Sequence, residues 1–307
     1  MIKKAFTLIE IIMVIVILGI VASIGTNIIS NMYEGYIRSK SINQLQQQTE
    51  LALDQIAKRL QYRIKETLIA RDPTGVDKFL SLSDKNITNN YTMIEWIGYD
   101  NESLKGDYNG TMIVPGWSGF VDLNRTDTNK SQIVTLGSDL RIAENIIAKL
   151  SNGDINLTAS SGKQLPAIIF KCPKLDYNLT KYGWSISGNH DYTLRVQRSG
   201  KDVLQFAEPS VANASKELCE QYWLAWSAYA LVLTGTNDNY TLNLHYNYQP
   251  WYGEKYNDST TSTTIIATNV STFRVTQVGD SVRMKLCIQD NNITGEPFGF
   301  CKEKAIW

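Results

Sequence analysis

Histidine is almost missing from this chain. Two in 307 residues leave little material for imidazole catalysis or a His-rich metal site. Net charge is missing too: 30 Lys and Arg offset 30 Asp and Glu. That balance excludes a protein held on nucleic acid by phosphate neutralisation, and equally an acidic disordered chain. The sequence also lacks G-x-S-x-G, His-Glu-x-x-His and Cys-x-x-Cys. Gly162-Lys163 is followed by Gln164, and Leu157 stands where a phosphate-binding loop needs a glycine. Neither an enzyme nor a cofactor is expected. A slightly negative mean hydropathy excludes a polytopic membrane protein, while 43% hydrophobic residues suffice for a packed core.

The remaining chemical candidates have plainer readings. His190-Asp191 reads as a loop pair, and His245 as a solvated residue on the polar face of a strand. Asp122-x-Asn124-x-x-Asp127 and Asp290-Asn291-Asn292 offer oxygen ligands without EF-hand spacing, and read as Asx-rich turns. Tyr222, Trp223, Trp226, Tyr229, Trp251, Tyr252 and Tyr256 read as core and subunit contact, not as a sugar platform.

What is present is concentrated at the N-terminus. Lys3 and Lys4 precede a run from Phe6 to Ile29 whose only charge is Glu10. As a helix that run is about 36 Å long, enough to cross a hydrocarbon core of about 30 Å. The basic start places the N-terminus in the cytoplasm and the rest outside. A cleaved signal peptide ending near Ala22 and Ser23 is the alternative. Against it stand the length of the run and Glu10, because a carboxylate inside an apolar helix costs about 3 kcal/mol to insert and so implies a partner.

From Ser30 to Arg71 there is no proline and the only glycine is Gly35. Leu45, Ala52, Ile56, Leu60, Ile64 and Leu68 form one apolar stripe, with Asp54 and Lys58 spaced as an i,i+4 pair. The pattern predicts a single helix from Phe6 to about Ala70, some 95 Å long, stopped by Asp72-Pro73 and Gly75. The i+4 steps favour packing on a sheet over a coiled coil. Beyond residue 72 the composition turns to Asn, Thr, Ser, Tyr and Gly. Alternation predicts strands at Thr241–Tyr248, Ser281–Ile288, Tyr192–Val196 and Ile265–Val278 (the last kinked), with buried strands at Ala225–Leu233 and Ala167–Phe170. One further helix is expected, capped by Asp139, with Ile142, Ile146 and Leu150 on its face and Gly153 as its stop. The stretch from Asp77 to Lys130 shows no readable order. Strands joined by short loops make an antiparallel sheet, and the class α+β. Four cysteines allow three disulfide connectivities; zinc would need tighter spacing.

Lys3-Lys4-Ala5 followed by Phe6-Thr7-Leu8-Ile9-Glu10 and a long aliphatic run resembles the leader of type IV pilins and type II secretion pseudopilins. The resemblance implies a five-residue leader (1–5), cut by prepilin peptidase between Ala5 and Phe6, and methylation of the Phe6 amine. It also implies an assembly helix over 6–29, an amphipathic continuation over 30–71, and a β-rich head over 72–307. Glu10 then acts as the assembly residue. The implied partners are the peptidase, other pilins or pseudopilins and inner-membrane lipid, with the head in the periplasm and no nucleic acid. Two positions depart from the family pattern. Ala5 stands for the usual glycine, and Asn27 for a helix-bending proline, so the helix should run straighter. The segments 265–275 and 281–286 are similar to the closing strands of the W-type minor pilin and the J-type minor pseudopilin. The resemblance further implies a C-terminal disulfide, Cys287–Cys301, leaving Cys172 with Cys219; each bridge contributes about 2–4 kcal/mol. The implied role is a minor subunit behind the filament tip. The alternative is a membrane-anchored binding domain or adhesin that never polymerises.

Overall fold

An uninterrupted helix, α1 (Leu8–Leu60), dominates the N-terminal part of the chain. The computed structural model describes residues 7–75, 77–108, 110–158, 164–172, 178–185, 190–207, 218–236, 239–290 and 298–307. Every residue of α1 up to Lys40 is exposed except the half-exposed Gly25. From Ser41 onward one side is buried: Leu45, Thr49, Ala52, Leu53, Ile56, Ala57 and Leu60.

That stripe lies on an eight-stranded antiparallel sheet. Its spatial order is β15 (Phe298–Ile306), β14 (Ser281–Asp290), β13 (Ser262–Val278), β12 (Asn239–Tyr248), β11 (Ser227–Thr236), β3 (Met93–Gly98), β1 (Ile69–Arg71) and β2 (Phe79–Ser81). Leu231, Leu242, Leu244, Val270, Val282, Met284, Leu286 and Ile288 close the core beneath the helix. A second antiparallel sheet follows the order β10 (Tyr222–Ala225), β7 (Ala167–Phe170), β8 (Leu194–Arg198), β9 (Val203–Phe206) and β6 (Gln132–Val134). Its strand β7 is buried along its whole length. Ile168, Phe170, Tyr222 and Leu224 pack with Leu140, Ala143 and Ile147 of helix α3 (Leu140–Leu150), while Ala167, Ile169 and Ala225 pack toward the main sheet. The layers therefore run α1, main sheet, second sheet, α3. This is an α+β, type IV pilin-like architecture: a long apolar helix followed by a curled antiparallel head.

The helix ends ten residues before the expected Ala70. Ile64 and Leu68 keep the i+4 spacing of the stripe, but both are buried outside the helix. The Ile64 amide donates to Ile97 O at 2.9 Å and the Tyr99 amide to Tyr62 O at 2.9 Å, so the chain peels away to pair along β3. Arg63 takes over the capping, its Nη1 donating to Leu60 O at 2.7 Å. Asp54 likewise reaches Lys304 on β15 and not its i+4 neighbour Lys58.

Two strands change face or sheet where alternation predicts continuity. The segment expected as one strand from Ala225 breaks at Trp226, where the chain crosses from β10 in the second sheet to β11 in the main one; Gln249 Nε2 holds Trp226 O at 2.9 Å. In β12 a bulge leaves Asn247 unpaired at φ 62°, its amide held by Ser227 Oγ at 2.8 Å. Leu242 and Leu244 thus face the helix, whereas Tyr248 faces the opposite core. In α3 the cap is Asp139 as expected, but Leu140, Ala143 and Ile147 are buried, and Leu150 is exposed. Both i,i+4 sets are apolar, and packing selects the one rotated by a residue. β13 carries its expected irregularity, a register shift beside Asn269 at φ 55°.

The unreadable Asp77–Lys130 stretch contains β3, buried along its whole length between β11 and β1 of the main sheet. It is followed by helix α2 (Asn101–Lys105), capped by Asp100, and by a two-stranded ribbon of β4 (Asp107–Tyr108) and β5 (Ile113–Val114). The Asp100 carboxyl is buried, accepting the Ser103 amide at 3.2 Å and the Ser103 hydroxyl, while its own amide donates to Leu224 O at 2.8 Å. Burial pushes its pKa up from 3.8 to about 7, with the Ser103 hydrogen bonds opposing. The folded protein therefore holds this proton more tightly than the unfolded chain. The contribution is most favourable below pH 3.8 and is lost as pH rises through about 7. Asp100→Asn keeps a capping oxygen without the charge. At pH 8 it should be more stable than the parent by about 3–4 kcal/mol, and the difference should vanish near pH 4. Denaturation midpoints of both proteins across that range check this.

Candidate assembly site

Among the described residues, nothing in the chain covers the first half of α1. From Leu8 to Ile29 it extends about 33 Å at 1.5 Å per residue, matching a hydrocarbon core, and Glu10 is its only charge. By length and composition this helix can cross a membrane.

Glu10 sits in the first turn. Its Oε2 accepts the Thr7 amide at 2.9 Å and the Thr7 hydroxyl at 2.9 Å, while Thr7 Oγ1 accepts the Glu10 amide at 3.4 Å. This is a reciprocal capping box. The carboxylate that a lipid environment penalises is thus partly compensated by the orphan amides and positive end of its own helix. Thr7 is the functional residue the sequence reading passed over, although Thr-x-x-Glu ahead of an apolar run is its signature. Ala5 and Phe6, with the rest of the leader, lie outside the described residues.

The second half of α1 is fixed to the head along β14 and β15. Ser41 Oγ donates to Asp290 Oδ2, Arg38 lies over the Phe298 ring at 5.8 Å, and Lys302 pairs with Glu50 at 2.8 Å. At the far end Arg63 Nη2 donates to Asp280 O at 2.8 Å, and Lys65 pairs with the Asp280 carboxylate at 2.9 Å. The Lys304 ammonium holds the Asp54 carboxyl below its usual range. Helix and strand are similar in length: about 30 Å from Ser41 to Leu60, and about 33 Å along the ten residues of β14. N-terminal to Ser41 the helix projects beyond the head.

The cysteines fasten the strands near both ends of the head. Cys287 and Cys301 are directly opposed on β14 and β15, with Cα atoms 4.0 Å apart. Cys172 and Cys219, with Cα atoms 5.6 Å apart, close the β7–β10 pair just beyond its last register partners, Phe170 and Tyr222.

The other sequence candidates take structural places. Asp122 Oδ1 accepts the Asn124 amide at 3.1 Å, an Asx turn. Asn291 and Asn292, like Gly162 and Lys163, lie outside the described residues. No group of three acidic, His or Cys side chains is placed to hold a metal among the described residues. His245 is half-buried, not solvated: Nδ1 lies 3.0 Å from Thr263 Oγ1, the ring meets Tyr256 edge-on, and burial lowers its pKa. Tyr222, Trp226 and Trp251 are core residues, and Tyr99 stacks on Trp223 at 4.3 Å.

Residues 1–26 match the family described as the prokaryotic N-terminal methylation motif. No curated protein and no solved structure matches the chain. The motif indicates a type IV pilin-like or pseudopilin-like protein, and is typical of prepilin-peptidase substrates that assemble with other pilins.

Proposed function

We propose that this chain is a minor pilin or minor pseudopilin, a non-enzymatic filament subunit. The supporting observation is the division of α1: its second half is buried on the head, and its first half is apolar, exposed and long enough to cross a bilayer. Such a surface requires a cover from outside the chain. Inner-membrane lipid covers it first, with the head in the periplasm, where disulfides persist. After assembly the helices of neighbouring subunits cover it.

Prepilin peptidase cuts between Ala5 and Phe6, and the methylated Phe6 amine becomes the N-terminus. Glu10 then exchanges its bonds to Thr7 for the positive amine of Phe6 on an adjacent subunit. Asn27 adds no bend to α1, and the head over 72–307 is large to repeat around a tightly packed helical core. Both features favour a low-copy position behind the filament tip, in an initiating complex with other minor subunits. Because Glu10 is present, the subunit still pairs with a neighbour, unlike the extreme tip subunit of secretion pseudopili. Quantitative proteomics of sheared filaments tests the placement: this chain should be far rarer than the major subunit. Near-equal abundance would make it a shaft subunit.

A further inference from the structure

Thirteen of the 24 asparagines in this chain open an Asn-x-Ser/Thr triplet, none with proline in the middle. With 48 serines and threonines in 307 residues, chance supplies about four. All thirteen lie beyond Arg71, and Asn27, Asn31 and Asn43 of α1 open none. Seven share a further residue, an aspartate two positions ahead. Asn86, Asn124, Asn129, Asn156 and Asn178 follow Asp84, Asp122, Asp127, Asp154 and Asp176, and the other two are Asn109 and Asn292. The chain has 17 aspartates, so chance places about one among thirteen triplets.

A turn preference does not account for the repeat. Asp84 Oδ1 accepts the Asn86 amide at 2.8 Å and Asp122 Oδ1 the Asn124 amide at 3.1 Å, both Asx turns. The Asn129 amide instead donates to Gln132 O at 2.9 Å, and the Asn156 amide to Gln164 O at 3.0 Å. Segments alike in sequence thus fold differently, so the shared residues serve recognition from outside the fold. Their placement agrees. Asn86, Asn124, Asn129 and Asn178 are exposed and Asn156 is half-buried, all in loops, while Asn109, Asp176 and Asn292 lie outside the described residues. Asn101, the buried triplet asparagine among the described residues, lacks the aspartate. At Asn178, Oδ1 accepts the Thr180 amide at 3.0 Å and its hydroxyl at 2.7 Å. The Nδ2 groups of Asn86, Asn124 and Asn178 bind nothing among the described residues.

We propose that the head is N-glycosylated at these aspartate-marked asparagines by a membrane oligosaccharyltransferase. This rests on the head lying in the periplasm, as in the reading above. The co-substrate is an oligosaccharide carried on a polyprenyl pyrophosphate. Asparagine Nδ2 attacks the anomeric carbon of the first sugar. The carbon–nitrogen bond forms as the bond to the pyrophosphate oxygen breaks. Nδ2 gives up one proton to a base, and the lipid pyrophosphate leaves with the electron pair. The aspartate offers a charge that a cation on the enzyme can read, and the Ser/Thr hydroxyl a hydrogen bond. No described site falls within α1 or the strands beneath it, so glycans leave the assembly helix clear.

The test is glycopeptide mass spectrometry of the full chain, extracted from the membranes of the cells that make it and digested without reduction. Peptides with Asn86, Asn124, Asn129 or Asn178 should bear one common added mass that releases sugar fragment ions. Asn239 and Asn257, exposed triplets without the aspartate, should be bare. Asp84→Asn keeps the triplet and a turn-forming side chain but removes the charge. It should cut occupancy at Asn86 by at least about tenfold and leave Asn124 unchanged. A disulfide-linked Cys287–Cys301 peptide in the same digest reports that the head was exported. Bare asparagines in a chain with that disulfide closed overturn the glycosylation and leave the filament reading standing. Bare asparagines beside free thiols overturn both. Equal modification with and without the aspartate, or Asp84→Asn glycosylated like the parent, also overturns the proposal.

Discussion

Glu10→Val should leave membrane insertion and head folding intact while cutting incorporation into filaments by at least about tenfold. The apolar substitution makes the helix easier to insert, since a carboxylate there costs about 3 kcal/mol. What it removes is the charge that pairs with a neighbouring Phe6 amine in a medium that strengthens ion pairs and penalises lone charges. Loss of even 1.4 kcal/mol from the subunit contact is a factor of about ten. Thr7→Val is the discriminating control. It removes the capping hydroxyl, which costs the helix about 1 kcal/mol, but leaves the Glu10 carboxylate for a neighbour. Co-purification with other pilins should fall for Glu10→Val and persist for Thr7→Val. Equal losses would mean that Glu10 matters only as a cap for its own helix.

The second large effect lies in the head. Arg71→Met should destabilise the fold by about 3–5 kcal/mol, because it strands the Glu95 carboxylate in the core beside Tyr248. Burial already raises the Glu95 pKa even with Arg71 opposing, so without the guanidinium the carboxyl holds its proton more firmly still. The sign follows: a raised folded-state pKa gives stability at low pH that is lost as pH rises, so the defect should shrink on acidification. Arg71→Met combined with Glu95→Gln should recover most of the loss, since the amide needs no counter-charge. Urea midpoints of the three proteins at neutral and acidic pH measure both effects. A neutral single substitution would show that the pair carries no net stability.

The parts of this fold legible in the sequence are those where one pattern has one solution. The α1 stripe from Leu45 to Leu60 and the alternation of β14 from Val282 to Ile288 each face a single core, so periodicity alone orients them. Legibility fails where tertiary pairing decides. Ile64 and Leu68 suit a helix and a buried extended segment equally, and only the hydrogen bonds to β3 end α1 at Leu60. β3 carries Glu95 in its middle and polar flanks, which leave the segment without a readable pattern until Arg71 and Tyr248 supply its partners. The face switch of Tyr248 depends on the Asn247 bulge, and a strand pattern does not announce a bulge. At the assembly site Glu10 is legible because a lone charge in an apolar run is conspicuous. Its cap was legible in principle, as Thr7 three residues before Glu10.

If the apolar half of α1 is an assembly helix, it is retained after a short leader is removed. Mass spectrometry of the N-terminal peptide of membrane-extracted protein tests it most directly. An assembly helix requires a chain beginning at Phe6 with a methylated amine. A mature chain beginning near Ile24, with the apolar run removed as a signal peptide, would contradict it.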